Sequence, residues 1–309
     1  MKSISIVTPC YNEESNILEV YEQVKLVFSK LDNFTYEHIF IDNASKDHTV
    51  SILKTLAKSD KKIKIIINSR NFGHLRSPFY GLLQAQGDAI IPLVADLQDP
   101  PQLIFEFIKK WEEGYKIVVG VKPKSQERFP MSWIRKWGYH FISKISEVTL
   151  IKNFTGFGLY DKSVIKILRT IEDPYPYFRG LISEIGFPIA QITYVQPLRK
   201  HGFTKNNFFT LCDVGILGVI SHSKVPIRLA TLAGFFLSAL SLGIAGGFLI
   251  LKFLFWNKYP VGIAPILMGM FFFASVQLFF IGLLGEYVLC IHTQVRKRPL
   301  VIESERINF

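Results

Sequence analysis

The stretch Ala89-Ile-Ile-Pro-Leu-Val-Ala-Asp-Leu-Gln-Asp-Pro-Pro-Gln102 is an apolar run that turns acidic. Residues 89–93 read as a buried strand, and Asp96 and Asp99 follow it closely. In an extended chain, residues two apart point to the same side. The residue two before Asp96 is Val94, so that side offers one carboxylate, with Gln98 beside it. Asp99-Pro100-Pro101-Gln102 reads differently. An acid before proline, with glutamine at the third helical position, is an expected helix start with Asp99 as its N-cap.

Working outward, residues 1–121 alternate short Ile/Val-rich runs with longer amphipathic ones. Strands are expected at 4–8, 38–41, 63–67, 89–93 and 117–121, and helices at 16–31, 49–58, 74–86 and 102–113. This βαβα rhythm predicts a mostly parallel sheet covered by helices on both faces. Ligands of such sheets bind beyond the carboxyl ends of the strands. The loops that matter are therefore 9–15, 42–48, 68–74 and 94–101. Beyond residue 121 the pattern changes to a basic loop at 122–132, a long helix at 132–150, a short strand at 157–160, a helix at 162–171 and a last strand at 189–194.

The 309-residue chain is 49% hydrophobic, and that excess is unevenly spread. Residues 229–251 and 259–285 contain no charged residue. At about 1.5 Å per residue, each run exceeds the roughly 30 Å bilayer core as a helix. Lys224 and Arg228 precede the first run, and Arg296, Lys297 and Arg298 follow the second, so the positive-inside rule puts both ends in the cytoplasm. Trp256 and Tyr259 fit the far aromatic belt. Residues 1–9 do not read as a signal peptide. Net charge is +11, which suits an anionic membrane surface; no nucleic-acid partner is expected. Residues 208–220 read as an amphipathic helix at that surface. The three cysteines are far apart, and the seven histidines lack metal-ligand spacing. Ala239, Gly243 and Gly247 form a small-residue stripe that permits close helix contact, within the chain or in a homo-oligomer.

Neither a G-x-G-x-x-G turn nor a G-x-x-x-x-G-K-[ST] loop is present, which argues against a dehydrogenase and a P-loop enzyme. The strand ends carry instead Thr8-Pro-Cys-Tyr-Asn-Glu13, Asp42-Asn-Ala-Ser-Lys-Asp-His-Thr49 and Asp96-Leu-Gln-Asp-Pro-Pro101. Together with the Asn71-Phe-Gly73 turn and the two apolar runs, these motifs resemble the inverting nucleotide-sugar glycosyltransferases of the GT-A fold. The likeness is to the branch that loads a sugar onto a polyisoprenyl phosphate, the bactoprenol glucosyltransferases and dolichol-phosphate mannose synthases. It covers nearly the whole chain. It implies an α/β GT-A, Rossmann-like catalytic domain over 1–205, an interfacial helix over 206–226, a two-helix transmembrane hairpin over 227–292 and a basic cytoplasmic tail over 293–309, in a bacterial plasma membrane.

The resemblance also implies roles. Thr8, Pro9, Tyr11 and Asp42 would hold the nucleotide base and Glu13 the ribose. Asp96 would face the donor diphosphate and its Mg²⁺ or Mn²⁺, with Gln98 as a further donor contact. One carboxylate suffices in principle, because Mg²⁺ keeps several waters and takes oxygens from substrate phosphates. Basic residues that could meet a lipid phosphate include Lys122, Lys136, Arg199 and Lys200, with Arg128, Arg135 and Lys205 ranked first. Relatives have an acid, proposed as base, where this chain has Gly156; Asp47 and Asp161 are its remaining candidates. A phosphate acceptor needs no base, since its second pKa is about 6. The expected reaction is transfer of a hexose, glucose from UDP-glucose, onto undecaprenyl phosphate. The alternatives are GDP-mannose or another nucleotide sugar, a saccharide hydroxyl acceptor, and a non-catalytic membrane scaffold.

Overall fold

The computed structural model describes residues 1–122, 151, 153–197, 225–255 and 263–309. The expected helix at 132–150, all but the last two residues of the interfacial segment at 206–226, and the belt residues Trp256 and Tyr259 lie outside the described residues.

An eight-stranded sheet organises the catalytic part, in the order β7-β5-β6-β4-β1-β2-β3-β8. Its strands are β1 (Lys2–Cys10), β2 (Phe34–Asp42), β3 (Ile63–Asn68), β4 (Ala89–Pro92), β5 (Ile117–Val121), β6 (Phe154–Asp161), β7 (Ile189–Thr193) and β8 (Glu303–Ile307). β1 to β4 pair in parallel, β7 is parallel to β5, and β6 runs antiparallel between β4 and β5. The central strands are buried on both faces, which explains their near-continuous apolar sequences.

Helices close both faces of the sheet. On one face lie α1 (Ile17–Phe28), α2 (Thr49–Ser59) and α4 (Ile104–Glu112). They bury Val20, Val24, Leu53 and Phe107 against Ile4, Ile6 and Phe40. On the other lie α3 (Arg76–Gln84), α5 (Lys162–Thr170) and α6 (Phe178–Glu184), which bury Phe79, Leu82, Ile165 and Leu181 against Val7, Ile39 and Ile41. Alternate strand residues thus feed the two apolar layers, as the period of two requires.

Several boundaries and elements differ from the sequence reading. β6 starts three residues earlier than expected because Phe154 pairs with Val121. A 3-10 turn at Pro101–Leu103 delays α4 to Ile104. Helix α6 was not expected, nor was β8. The latter lies within the presumed basic tail, yet pairs antiparallel with the outer edge of β3, Ile65 opposite Ile307.

Beyond the sheet stand two long helices, α7 (Val225–Leu254) and α8 (Ile263–Val295). Among the described residues one stretch, Phe272–Val295, is long and apolar enough to cross a membrane, and none of it is buried in protein. The apolar stretch described in α7, Ile227–Ser241, is shorter. Among the described residues, a Cβ added at Gly243 or Gly247 of the small-residue stripe would meet nothing within 4 Å.

Candidate active site

The parallel register brings the important loops to one edge. Cys10 sits opposite Asp42, and Asp42 opposite Ile67, so β1, β2 and β3 end level. β4, β5 and β7 point the same way, and β6 begins at this edge, since Val121 pairs with Phe154. Left-handed backbone collects there. Asn12, Ala44, Leu97 and Asn153 have φ of 54°, 62°, 56° and 57°. Such conformations cost of order 1–3 kcal/mol for residues other than glycine and persist where surrounding structure fixes them.

Short polar side chains tie the first three loops together. Asn12 N donates to Ser45 Oγ (2.8 Å), and Lys46 N donates to Asn12 Oδ1 (2.7 Å). Glu13 N reaches Thr49 Oγ1 at 2.9 Å. Asn43 Nδ2 donates to Asn71 Oδ1 (2.9 Å) and the Gly73 carbonyl, while its Oδ1 accepts from Phe72 N (2.9 Å) and Asn68 Nδ2. Gly73 (φ 89°) closes that last turn in a conformation glycine adopts freely.

The residues expected to hold the donor fall into two groups. Pro9, Tyr11, Glu13, Asp96 and Gln98 are half-buried at the edge. Thr8 and Asp42 have no exposed surface and are held by partners inside the fold. Thr8 Oγ1 is bound 2.9 Å from His38 Nε2, inside the β1–β2 pair. Asp42 takes the N–H of Ser45 (2.9 Å) and its hydroxyl, closing the turn after β2. Burial pushes the Asp42 carboxyl above the usual range, with the Ser45 bonds acting against it. Burial also holds the His38 imidazole down at about 3, so this side chain is neutral.

The two acids of the 94–101 loop have opposite surroundings. Asp96 is partly exposed, and its Oδ1 accepts from Gln98 N at 3.1 Å around the left-handed Leu97. Asp99 is 4% exposed and caps no helix; Pro100 precedes the 3-10 turn, without a side-chain cap. This overturns the N-cap reading. Asp99 instead accepts a hydrogen bond from the Tyr194 hydroxyl and lies 3.7 Å from Lys122 Nζ. Burial pushes the Asp99 carboxyl up and the Lys122 ammonium down, despite their attraction. The charge of Asp96 also favours the Lys122 ammonium. Tyr194 joins the end of β7 to this group and was missed at the sequence level, because nothing local marks a contact with a residue 95 positions away.

The base candidates are bound into the scaffold. Asp161 caps α5, taking Ser163 N (2.8 Å) and Trp111 Nε1 (2.9 Å), and pairs with Ala89 at the opposite end of β4 from Asp96. Asp47 accepts from Thr49 N (3.0 Å) and Glu14 N (3.2 Å). Gly156 has φ of 107°, and a Cβ there would stand 3.6 Å from the Phe178 ring, so an aspartate would strain this backbone. Arg128, Arg135, Lys136, Arg199, Lys200 and Lys205 lie outside the described residues. Among those described, no group of three His, Cys, Asp or Glu side chains could cage a metal ion. Asp96 alone fits a hard cation whose other ligands are phosphate oxygens and water.

A mostly parallel sheet of this order, with its loops gathered at the carboxyl edge, is the α/β arrangement of the GT-A type. The chain belongs to glycosyl transferase family 2, whose model matches residues 5–167, and it is a glycosyltransferase. It is 33% identical over 308 residues to the bactoprenol glucosyl transferase of Shigella phage SfII, covering 99% of each chain. It is 34% identical over 303 residues to an uncharacterized glycosyltransferase of Synechocystis sp., covering 98% of this chain and 95% of the relative. Among solved structures it is similar to mannosyl-3-phosphoglycerate synthase from Rubrobacter xylanophilus, at 14% identity and a TM-score of 0.49 over 75% of each chain.

Proposed function

We propose that this glycosyltransferase moves glucose from UDP-glucose, with inversion, onto undecaprenyl phosphate at the cytoplasmic face of a bacterial plasma membrane. The observation that carries this reading is a connection. The apolar stretch Phe272–Val295 leads within a few residues into β8, which pairs with β3 beside the substrate edge. An acceptor whose tail lies in the bilayer would thereby have its phosphate within reach of the donor. Similarity along the whole length to bactoprenol glucosyl transferases supports the same acceptor class.

The chemistry is then a direct displacement. An oxygen of the lipid phosphate bonds to the anomeric carbon as the bond from that carbon to the UDP oxygen breaks, and UDP leaves. At pH 7 the phosphate is mostly dianionic, so no side chain needs to remove a proton, consistent with Gly156 in place of the acid that the family resemblance implies. A divalent ion, Mg²⁺ or Mn²⁺, supplies charge stabilisation to the departing diphosphate, and Asp96 would hold it. Pro9, Tyr11 and Glu13 border the nucleotide, and Gln98 the donor sugar. The turn at Asp42 would open for Asp42 to reach the base. Arg128, Arg135 and Lys205 would bind the acceptor phosphate. In this reading α7 and α8 form the two-span hairpin, residues 206–226 lie at the interface, and a homo-oligomer would pack on Gly243 and Gly247.

One panel tests this. Membranes containing the protein are incubated with labelled UDP- and GDP-sugars and undecaprenyl phosphate. Labelled lipid from UDP-glucose is the expected product. Labelled lipid from GDP-mannose would change the donor, label in a saccharide fraction would change the acceptor, and donor binding without any product would leave a scaffold.

A further inference from the structure

The segment after α8 brings three arginines together at the β3 end of the substrate edge. β8 starts beside Asn68, and Ser69 N donates to the Ile302 carbonyl at 2.9 Å. Just before it, the Pro299 carbonyl accepts from Arg76 Nη2 at 2.6 Å. Arg76 is the first residue of α3, and Pro299 directly follows Arg298. Arg70 approaches from the β3 loop. The Phe72 ring carries the Arg70 guanidinium 4.1 Å from its centroid and that of Arg76 at 5.5 Å. Stacking of this kind holds a guanidinium plane without consuming its N–H donors.

Among the described residues no carboxylate pairs with Arg70, Arg76 or Arg298; nearby acids serve other bases, Glu172 pairing with Lys297 and Glu303 with Arg306. The first turn of α3 contains no acid. Among the described residues, Arg70 bonds its neighbour's carbonyl, Asn71 O, at 3.1 Å. Among the described residues, the buried Nε–H of Arg76 has no partner, a cost that normally has a reason. Burial, then the charges of Arg70 and Arg298, hold Arg76 below the usual guanidinium range.

We propose that Arg70, Arg76 and Arg298 form a binding site for a phosphate group, supplied by the headgroup of an anionic membrane lipid. Guanidinium forks match phosphate oxygens in geometry and charge. Arg298 lies three residues beyond the end of the apolar stretch Phe272–Val295, the level at which lipid phosphates sit. The source of the phosphate rests on the membrane reading above; the site itself does not. A lipid bound here would fix the 70–76 loop, which Asn43 ties to the turn at Asp42.

The test uses the full chain and no sugar transfer, so its failure and failure of the transferase reading are separable. Thermal midpoints are compared in nanodiscs of phosphatidylcholine with and without phosphatidylglycerol, and in detergent with inorganic phosphate or chloride at matched ionic strength. Phosphatidylglycerol is expected to raise the wild-type midpoint by about 3 °C. R70Q/R298Q, which keeps the Arg76–Pro299 bond, should lose most of that rise. R70K/R298K, which keeps charge without the fork, should retain part of it and guards against a folding defect in the first variant. A rise with inorganic phosphate that R70Q/R298Q loses would keep the site and assign it to free phosphate. Equal rises in wild type and both variants, or none in any, would overturn the proposal.

Discussion

The two halves of the substrate edge are held in different ways. Beyond β1, β2 and β3, the loops are joined by many neutral bonds through Asn12, Asn43, Ser45 and Thr49. Beyond β4, β5 and β7, a single buried carboxylate, Asp99, gathers Tyr194 and Lys122. Neutral bonds contribute about 1 kcal/mol each and fail one at a time. A buried charge pair fails as a unit, because losing one partner strands the other. The first half should therefore tolerate single substitutions that the second does not.

The largest effect expected lies between the halves. Asp96→Ala should lower lipid-linked sugar formation about a thousandfold, the size of several kcal/mol of lost charge stabilisation, while thermal unfolding stays near wild type. Retained turnover would remove Asp96 from the reaction. Next comes the stranded charge. Asp99→Ala should destabilise by about 3–5 kcal/mol in denaturant unfolding, and D99L/K122M should recover most of that. If the double variant is no better than the single one, Asp99 does not hold its half through Lys122.

Third, acid should weaken the first half through His38. Its folded pKa of about 3 lies below the ordinary His value of 6.5, so the unfolded chain takes the proton first. Stability is then lost as pH falls from about 6.5 toward 3, at about 1.4 kcal/mol per pH unit inside that window. Asp42 and Asp99, raised by burial, act in the opposite sense, so the difference curve between wild type and His38→Gln isolates the histidine. A flat difference between pH 6.5 and 5 would contradict its buried, neutral state. Smallest is Asn43→Ala, expected to cost about 1–2 kcal/mol because Phe72 N loses its partner. A loss as large as that of Asp99→Ala would erase the contrast between the halves.

The first half was legible in the sequence and much of the second was not, for a physical reason. Runs such as Ile63–Asn68 and Ile117–Val121 announce strands through local composition, and a parallel ladder then fixes which loops share an edge. Loops 9–15, 42–48, 68–74 and 94–101 could be named on that basis. What a side chain does inside a loop is set by partners distant in the chain. Asp99 has the neighbours of an N-cap, yet Tyr194 and Lys122 claim it. Asp42 has the position of a base contact, yet Ser45 closes over it. The basic residues before Pro299 masked β8, a short and largely polar strand; Val301, Glu303 and Ile307 are covered while Glu305 is exposed.

Strand β8 also sets an order of events during synthesis. The outer edge of β3 offers its backbone N–H and C=O groups along Ile65, Ile66 and Ile67, and an open apolar edge invites pairing with other chains. Its partner is made only after both long helices have been synthesised. Until then β3 is unprotected, and delayed handling of the apolar helices would prolong the interval in which nascent chains can aggregate through it.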